Sequence, residues 1–285
     1  RSQHQAVQAA QQIVNSGKPY VVVIDLSKFF DRIHHDRLIA RMGQKIADKR
    51  ILRLIGILLR SGVMINGVVN PSKEGAMQGG PLSPLLSNIV LDELDWELEK
   101  RGLEFCRFAD DCNIFVKSQK AAERVMETVG QFIEKQLKLK VNQDKSQVAR
   151  SDQVKFLGFT VVNGTIAIAK KALQTALCKV KELTPRGTHK TLDTTMKEIN
   201  QWYVGWSNYY SLTCYPSQLR KIEAHIRRRL RSRLVYQQKR KKPLYKSLVK
   251  RGVPGKHAAI AVFSNNSRWA LSAVRAVTRA YPNSW

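Results

Sequence analysis

The spacing of apolar residues changes near residue 170, and this change restricts the chain to a mixed domain followed by a helical one. Before it, short β-branched runs such as Tyr20–Ile24 alternate with stretches of helical spacing such as Ser83–Lys100. The strongest hairpin signal is Asn163-Gly164, which separates residues 156–162 from residues 165–169. After it, the spacing is helical and is interrupted at prolines. The pattern predicts an α+β fold with a mainly antiparallel sheet and packed helices, followed by an all-α basic domain.

The charge of the chain is strongly positive and unevenly distributed. The 49 Lys+Arg and 22 Asp+Glu residues give a formal net charge of +27. Residues 1–160 contain 18 of the acids, whereas residues 161–285 contain 4 acids and 25 basic residues. A polyanion compensates such a surface most readily, so the charge indicates a nucleic-acid partner. We expect an active-site domain that uses the acids, followed by a binding domain.

Two classes of protein are excluded by the remaining composition. No apolar run approaches the roughly 18 residues that span a bilayer, so we expect no membrane partner. Residues 1–12 are polar and lack the apolar centre of a secretion signal. The four cysteines include no Cys-x-x-Cys pair, which argues against a zinc site and a disulfide framework. The chain is therefore predicted to be cytoplasmic, associated with nucleic acid, and to keep its thiols reduced.

Three aspartates are candidates for a catalytic centre. Asp25 directly follows the apolar run, and Asp110 and Asp111 occupy a predicted turn between two short strands. An Asp-Asp pair alone is usually a surface turn, but apolar strands flank this one on both sides. Carboxylates from different strands can hold a pair of Mg²⁺ ions at one edge of a sheet. The arrangement predicts phosphoryl transfer.

The motifs in the first domain occur in a characteristic order. Residues 20–36, residues 76–88 with Gln78-Gly-Gly80, and Phe108-Ala-Asp-Asp111 resemble the palm motifs of group II intron reverse transcriptases, also called intron maturases. Phe108 stands where the family usually has tyrosine. Residues 205–210 and the basic helices after them resemble the thumb, or maturase, region. The resemblance implies the end of a fingers segment in residues 1–18, a palm in residues 19–169 and a thumb in residues 170–285.

The resemblance also implies roles for individual residues. Asp25, Asp110 and Asp111, with the carbonyl of Leu26, would bind two Mg²⁺ ions, for which Mn²⁺ could substitute. Lys145 would protonate the pyrophosphate that leaves. The other predicted contacts are those of Phe30, Gln78 and Gly79 with the nucleotide and those of Phe156, Leu157 and Gly158 with the primer end. A phenylalanine under the sugar would exclude a 2′-hydroxyl, which predicts a preference for deoxynucleotides.

The residues themselves leave structural alternatives open for these roles. Phe30 would serve equally well as core packing beside Phe29, and Gln78 as part of a generic turn that enters a helix. Lys145 would serve as a solvated charge. Residues 156–159 would form a plain strand.

The basic second domain supplies the predicted RNA contacts. The run at residues 227–233 distributes charge around much of a helix, which a phosphate-rich partner compensates. The residues predicted to contact RNA are Arg227, Arg228, Arg231, Arg233, Lys239, Arg240 and Lys241. Among the aromatic residues of this domain, Trp206 and Tyr210 are predicted to pack in the core.

The function expected from these patterns is that of a bacterial RNA-dependent DNA polymerase of the group II intron type. Its expected partners are intron RNA, an RNA template with a DNA primer, and deoxynucleoside triphosphates. One alternative is an RNA-binding maturase fragment that does not polymerise. Another is a related reverse transcriptase used in defence or in repeat-array acquisition. The sequence does not indicate the oligomeric state.

Overall fold

The structure is a computed structural model that describes residues 2–61, 63–65, 68–70, 74–76, 80, 82–185, 187–264 and 266–282. The chain forms two compact units, Arg1–Ile166 and Ala167–Trp285. This boundary falls close to the predicted division between residues 169 and 170.

The first unit contains most of the strands. Its elements in chain order are α1 (Gln3–Asn15), β1 (Tyr20–Ile24), a 3-10 helix (Phe30–Arg32), α2 (His35–Gly43), α3 (Lys49–Arg60), β2 (Val63–Ile65), β3 (Val68–Asn70), α4 (Ser83–Lys100), β4 (Glu104–Phe108), β5 (Asp111–Val116), α5 (Gln119–Phe132), a π-helix (Ile133–Leu137), β6 (Gln147–Arg150), β7 (Phe159–Val162) and β8 (Thr165–Ile168). The boundary between the units falls within β8.

The main sheet has the strand order β4-β5-β1-β6, and every neighbouring pair is antiparallel. The strands β2 and β3 form a separate antiparallel pair, as do β7 and β8. The prediction of an α+β fold with a mainly antiparallel sheet is confirmed.

The strand β1 lies inside the main sheet and is buried on both faces. Val22 is fully buried in the largest core cluster, together with Leu91 of α4 and Val129 of α5. On the other face, Val21 lines a small apolar space with Val7 of α1. Burial on both faces explains the uninterrupted apolar sequence of this strand. It also fixes the direction in which the chain leaves β1 at residue 25.

The first helix is tied to the turn between β7 and β8. Gln11 Nε2 donates a 2.8 Å hydrogen bond to the Gly164 carbonyl, and Asn15 Nδ2 donates another at 3.2 Å. Gly164 has φ +74°, and a Cβ atom there would lie 2.3 Å from Asn15 Oδ1. The backbone conformation therefore favours glycine, and any larger residue would also displace the Asn15 side chain.

The second unit is helical after the end of β8, as predicted. Its elements are α6 (Lys170–Leu183), α7 (Leu192–Tyr209), a 3-10 helix (Tyr210–Leu212), α8 (Pro216–Gln237), α9 (Lys241–Lys250), α10 (Gly255–Phe263), α11 (Arg268–Leu271) and α12 (Arg275–Ala280). One core cluster joins α6, α7 and α8, and a second joins the end of α8 to the later helices. Within the described ranges, no helix is both long and apolar enough to cross a bilayer.

Three elements of the structure differ from what the sequence pattern predicts. The short strand β6 was not predicted, because Gln147–Arg150 is too short and polar to signal a strand without its partner β1. Residues 36–49 have the apolar spacing of one helix, but the helix ends at Gly43, and Asp48 caps a new helix by accepting a hydrogen bond from the Arg50 amide. The strand predicted from residue 156 begins at Phe159, because the preceding residues form a turn.

Candidate functional site

Asp25 is the first residue after β1, and its backbone is held from the segment that precedes β6. The Asp25 amide donates to Ser146 Oγ at 3.1 Å, and the Asn142 amide donates to the Asp25 carbonyl at 2.8 Å. The Asp25 side chain is 28% exposed, and its Oδ2 lies 3.8 Å from Lys145 Nζ. The predicted catalytic residues Asp25 and Lys145 are therefore neighbours, although Lys145 is largely solvated at 70% exposure.

The backbone of Leu26 is oriented by the same segment. The Ser27 amide donates to the Lys140 carbonyl at 2.8 Å, and Leu26 forms an isolated antiparallel bridge with Val141. Since the carbonyl of Asp25 also points toward this segment, and carbonyls alternate in direction along an extended chain, the carbonyl of Leu26 points the opposite way. That is the side of the sheet on which β5 lies.

The pair Asp110-Asp111 lies at the turn between β4 and β5. Ala109 and Asp110 are the two loop residues of this turn, and Asp111 is the first residue of β5. The last residue of β1 pairs with Cys112 in antiparallel register. Continuing this register by one residue places Asp25 opposite Asp111. The sheet thus brings together two of the carboxylates that the sequence predicts to act together.

A half-buried arginine, Arg107, holds this turn. Ala109 has φ +54°, a left-handed conformation that favours glycine and is often retained at functional sites. Arg107 Nη1 donates to the Ala109 carbonyl and to Asn88 Oδ1, each at 2.9 Å, and Arg107 Nε donates to Asp95 Oδ1 at 2.7 Å. The acceptors on Asn88 and Asp95 belong to α4, so this helix fixes the position of the turn. The sequence does not indicate this role of Arg107, because its acceptors lie on another helix.

The surroundings of Asp111 disfavour the charged form of its carboxyl group. The residue is exposed, but the surrounding protein removes part of the hydration of its carboxyl group. This desolvation, followed by the negative charges of Asp110 and Asp25, raises the pKa of Asp111 above its usual value, and Lys155 opposes the shift. Asp110 and Asp25 therefore both repel the negative charge of Asp111.

The donor atoms at this edge fit a hard divalent cation. Carboxylate and carbonyl oxygens are the ligands that Mg²⁺ prefers, and its charge would relieve the repulsion felt by Asp111. Within the described part of the chain, however, no three His, Cys, Asp or Glu side chains are arranged so as to hold an ion. Asp25 is oriented toward Lys145 at 3.8 Å. The site therefore has oxygen donors of the right kind, but the described side chains do not converge on one position for an ion.

The raised pKa of Asp111 predicts that Asp111→Asn stabilises the protein at neutral pH. Folding favours the protonated carboxyl, so the stability contributed below about pH 3.8 is lost as the pH rises through the folded pKa. Removing the charge should raise the melting temperature at pH 7 by about 1–2 °C, and the difference should vanish near pH 4. Thermal unfolding followed by circular dichroism at both pH values measures this.

The matched control for this experiment is Asp31→Asn, which removes an exposed carboxylate from a different place in the same unit. It should leave the melting temperature unchanged at both pH values. A lower melting temperature of Asp111→Asn at pH 7 would contradict the assigned repulsion. Added Mg²⁺ should stabilise the wild type more than Asp111→Asn, because a ligand stabilises the state that binds it.

Phe30 lies in the 3-10 helix after β1 and is half-buried. Its ring packs edge-on against Phe29 at 5.3 Å between centroids, and Phe29 is 3% exposed. The amide of Ala76 donates to the Phe30 carbonyl at 2.6 Å. The nucleotide contact and the core contact predicted as alternatives for Phe30 are thus both compatible with its position.

The segment that leads to the predicted glutamine-glycine motif is anchored beside Phe30. Gly75 has φ +91°, and a Cβ atom there would lie 2.9 Å from the Phe30 carbonyl oxygen. His35 is 3% exposed, and its Nε2 donates a 2.6 Å hydrogen bond to the Gly75 carbonyl. His35 thus positions this segment, a role that the sequence alone does not indicate. The predicted nucleotide-binding residues Gln78 and Gly79 lie outside the described residues.

The residues predicted to bind the primer end form a tight turn. The amides of Phe156 and Phe159 each donate to the other's carbonyl at 2.9 Å, and Leu157 and Gly158 between them have φ +50° and +83°. Phe156 is 8% exposed and lines the apolar space beneath the sheet, so its ring packs inside the protein. Leu157 and Gly158 occupy the tip.

The arginines at residues 227–233 are more engaged with the protein than their sequence predicts. Arg233 is the clearest case, because it is 6% exposed and donates to Thr195 Oγ1 at 2.6 Å and to the Lys190 carbonyl. The prediction that Arg233 contacts RNA conflicts with this burial. Arg231 Nε donates to the Tyr281 carbonyl at 2.9 Å. These arginines connect α8 to other parts of the unit.

The other residues predicted to contact RNA fall into two groups, of which Arg227 and Arg228 are half-buried. Arg227 pairs with Glu223 at 3.5 Å, and the Arg228 guanidinium carbon lies 4.2 Å from the centre of the Trp269 ring. Lys239, Arg240 and Lys241, at the end of α8 and the start of α9, are all exposed. This second group therefore offers the more accessible charges.

The two aromatic residues predicted to pack in the core lie at its margin. Trp206 and Tyr210 are half-buried, with ring centroids 4.7 Å apart. Trp206 also packs against the cluster formed by α6, α7 and α8.

Two protein families and several individual proteins are similar to this chain in sequence. Residues 1–161 match the family described as reverse transcriptase (RNA-dependent DNA polymerase), and residues 173–252 match the group II intron, maturase-specific domain. Protein YkfC of Escherichia coli K12 is 30% identical over 201 residues, which cover 57% of this chain and 53% of YkfC.

Two further similarities extend over more of the chain. The group II intron-encoded protein LtrA of Lactococcus lactis is 26% identical over 251 residues, which cover 65% of this chain and 41% of LtrA. A solved structure of telomerase from Candida tropicalis with a fragment of telomeric RNA has a TM-score of 0.49 and 13% identity, and the match covers 98% of this chain and 48% of the telomerase. The chain spans about half the length of the curated relatives that it matches.

Proposed function

Because this chain belongs to the reverse transcriptase family and also contains a group II intron maturase domain, we propose that it is an RNA-dependent DNA polymerase that binds intron RNA to aid splicing and mobility. The observation that supports the proposal most is that Asp25 lies opposite Asp111, where β1 ends and β5 begins. The substrates would be an RNA template with a DNA primer and deoxynucleoside triphosphates.

The acids at this edge would hold the divalent ions that the family uses. Asp25, Asp110 and Asp111 would supply the carboxylates, and the carbonyl of Leu26 would add an oxygen from the adjacent backbone. Two bound Mg²⁺ ions would lower the pKa of the primer 3′-hydroxyl and neutralise charge on the departing pyrophosphate, and Mn²⁺ could replace them.

The neighbouring residues would position the reactants. Lys145 Nζ, 3.8 Å from Asp25 Oδ2, would carry the proton that the pyrophosphate accepts. Leu157 and Gly158, at the tip of the left-handed turn, would support the primer end. The Phe30 ring, fixed by Phe29, would lie under the sugar of the incoming nucleotide.

The second unit would bind intron RNA through its uncompensated charge. Residues 167–285 contain 25 basic residues and 4 acids. In this proposal the RNA supplies the splicing chemistry, and the protein stabilises its fold. Binding should weaken steeply as salt increases, because cations are released from the RNA when the protein binds.

Primer extension tests the proposal directly. The purified chain should extend a labelled DNA primer annealed to an RNA template when Mg²⁺ is present, and chelation should stop the reaction. Binding of intron RNA without any extension would favour the alternative of a maturase fragment that does not polymerise. Extension on DNA templates alone would contradict the assigned template class.

Phe30→Ala is expected to reduce the discrimination between deoxynucleotides and ribonucleotides by at least about tenfold, because the space for a 2′-hydroxyl opens. Single-nucleotide incorporation with each substrate class gives the ratio of kcat/KM values. Phe132→Ala, which removes a half-buried ring at the end of α5, serves as the matched control. An unchanged ratio in Phe30→Ala would leave Phe30 with a packing role only.

A further inference from the structure

A cavity of about 360 Å³ lies in the second unit beside α8 and α11. Cavities of roughly 300–1,000 Å³ are large enough to enclose a small ligand. Residues that line it include Arg229, Ser232, Arg233, Tyr236, Arg268 and Trp269. Guanidinium groups and aromatic rings therefore face the same space.

Two of the guanidinium groups at this cavity, those of Arg268 and Arg233, donate hydrogen bonds to neutral acceptors. Arg268 Nη1 donates to the carbonyls of Val235 at 2.5 Å and Gln238 at 2.6 Å, and Arg268 Nη2 donates to the Lys239 carbonyl at 2.6 Å. Arg233 is likewise held by a hydroxyl and a carbonyl. Carbonyls and hydroxyls fix these side chains without neutralising their charge, so the cavity has a fixed positive field.

No carboxylate among the described residues lines this cavity. The four acids of residues 167–285 each form an ion pair with a cation that does not line it: Glu182 with Lys179, Asp193 with Lys197, Glu198 with Lys190 and Glu223 with Arg227. An anionic ligand would meet no competing negative charge there.

Two aromatic rings line the cavity, and each has a guanidinium group near it. Tyr236 is 52% exposed, with the Arg268 guanidinium carbon 5.9 Å from its ring centre. Trp269 is half-buried, with the Arg228 guanidinium carbon 4.2 Å from its ring centre. Nucleobases stack on such rings in single-stranded recognition, at a site that also binds the backbone phosphate. A paired and stacked nucleotide presents neither face of its base.

We propose that this cavity binds one unstacked RNA nucleotide, with the base against Tyr236 and Trp269 and the phosphate toward Arg268. The inference rests on the proposed RNA-binding function and deepens it by naming the kind of nucleotide recognised. RNA is the favoured source of this nucleotide because the same unit carries a net charge of +21, which suits a polyanion rather than a single nucleotide.

The test compares two RNA hairpins closed by the same stacked tetraloop, one with a fully paired stem and one identical except for a single unpaired nucleotide in the stem. Fluorescence anisotropy at one salt concentration should give a Kd about tenfold lower for the bulged hairpin. Tyr236→Ala, which removes a ring, and Ser232→Leu, which fills the cavity, should each abolish this preference. Both should bind the paired hairpin with a Kd within about twofold of the wild type.

Phe263→Ala is the matched control, because Phe263 is also 52% exposed in this unit but does not line the cavity. It should keep the preference. Equal binding of the two hairpins by the wild type, or a preference that survives both cavity variants, would overturn the inference while leaving general RNA binding intact. Failure to bind either hairpin would overturn the proposed RNA-binding function as well.

A calorimetric titration with adenosine 5′-monophosphate separates the two sources of such a nucleotide. Weak binding of the free nucleotide, combined with the bulge preference, is the expected result. Tight binding that Tyr236→Ala removes, without any bulge preference, would assign the cavity to a free nucleotide and overturn the RNA assignment.

Discussion

Asp25→Asn is expected to reduce primer extension more than about a hundredfold, a larger loss than removal of an outer-shell partner of a metal ligand usually causes. The substitution keeps the size of the side chain and removes its charge. The backbone contacts of Asp25 with Ser146 and Asn142 involve main-chain atoms of residue 25, so the end of β1 should keep its position. The loss would therefore report the carboxylate itself.

The RNA affinity of Asp25→Asn should remain unchanged, because the predicted RNA contacts lie in residues 227–241. Gel-based extension assays and RNA binding at fixed salt measure the two properties on the same preparation. Asp31→Asn, at an exposed acid six positions along the chain, should retain full extension. Extension by Asp25→Asn within about tenfold of the wild type would show that residue 25 does not hold the ions.

Arg233→Ala is expected to destabilise the second unit by about 2–4 kcal/mol, because a buried charge-assisted hydrogen-bond network is lost. The substitution leaves Thr195 Oγ1 and the Lys190 carbonyl without the guanidinium that now satisfies them. It also opens space beside α8. Chemical denaturation followed by circular dichroism gives the change in the free energy of unfolding.

Arg240→Ala provides the contrast, because Arg240 is exposed at the start of α9. Its stability should stay within about 0.5 kcal/mol of the wild type. Its RNA affinity should fall, and the slope of log K against log salt should decrease by about 1 if the residue contacts one phosphate. The reverse pattern, with a stable Arg233→Ala that binds RNA weakly, would restore the original prediction for Arg233.

The sequence does not predict which of these two arginines is buried. Arg233 and Arg240 carry the same charge in the same basic region, and nothing local distinguishes them. Burial of Arg233 depends on Thr195 and Lys190, which precede it by about forty residues. Charge composition predicts that a surface binds polyanions, but it does not show which cations are used internally.

The acidic site was more predictable because its arrangement follows from local patterns. An apolar run that ends in Asp25 and an Asp-Asp turn between two strands become neighbours when the strands pair. The partners that hold the site could not be predicted in this way. Ser146, which accepts a hydrogen bond from the Asp25 amide, lies 121 residues further along the chain. Arg107 is tied to α4 by a hydrogen bond between its side chain and that of Asp95, which no sequence pattern indicates.

The link between α1 and the β7–β8 turn has a consequence for folding during synthesis. Gln11 and Gly164 are separated by 153 residues, so the first helix leaves the ribosome long before its acceptor exists. Contacts over such separations form late, because closing a long loop costs entropy before it gains any interaction. The helix α1 can pack against β4 as soon as that strand is translated, but its link to the β7–β8 turn must wait for nearly the whole first unit. Until then the end of α1 that carries Gln11 and Asn15 stays available to a chaperone.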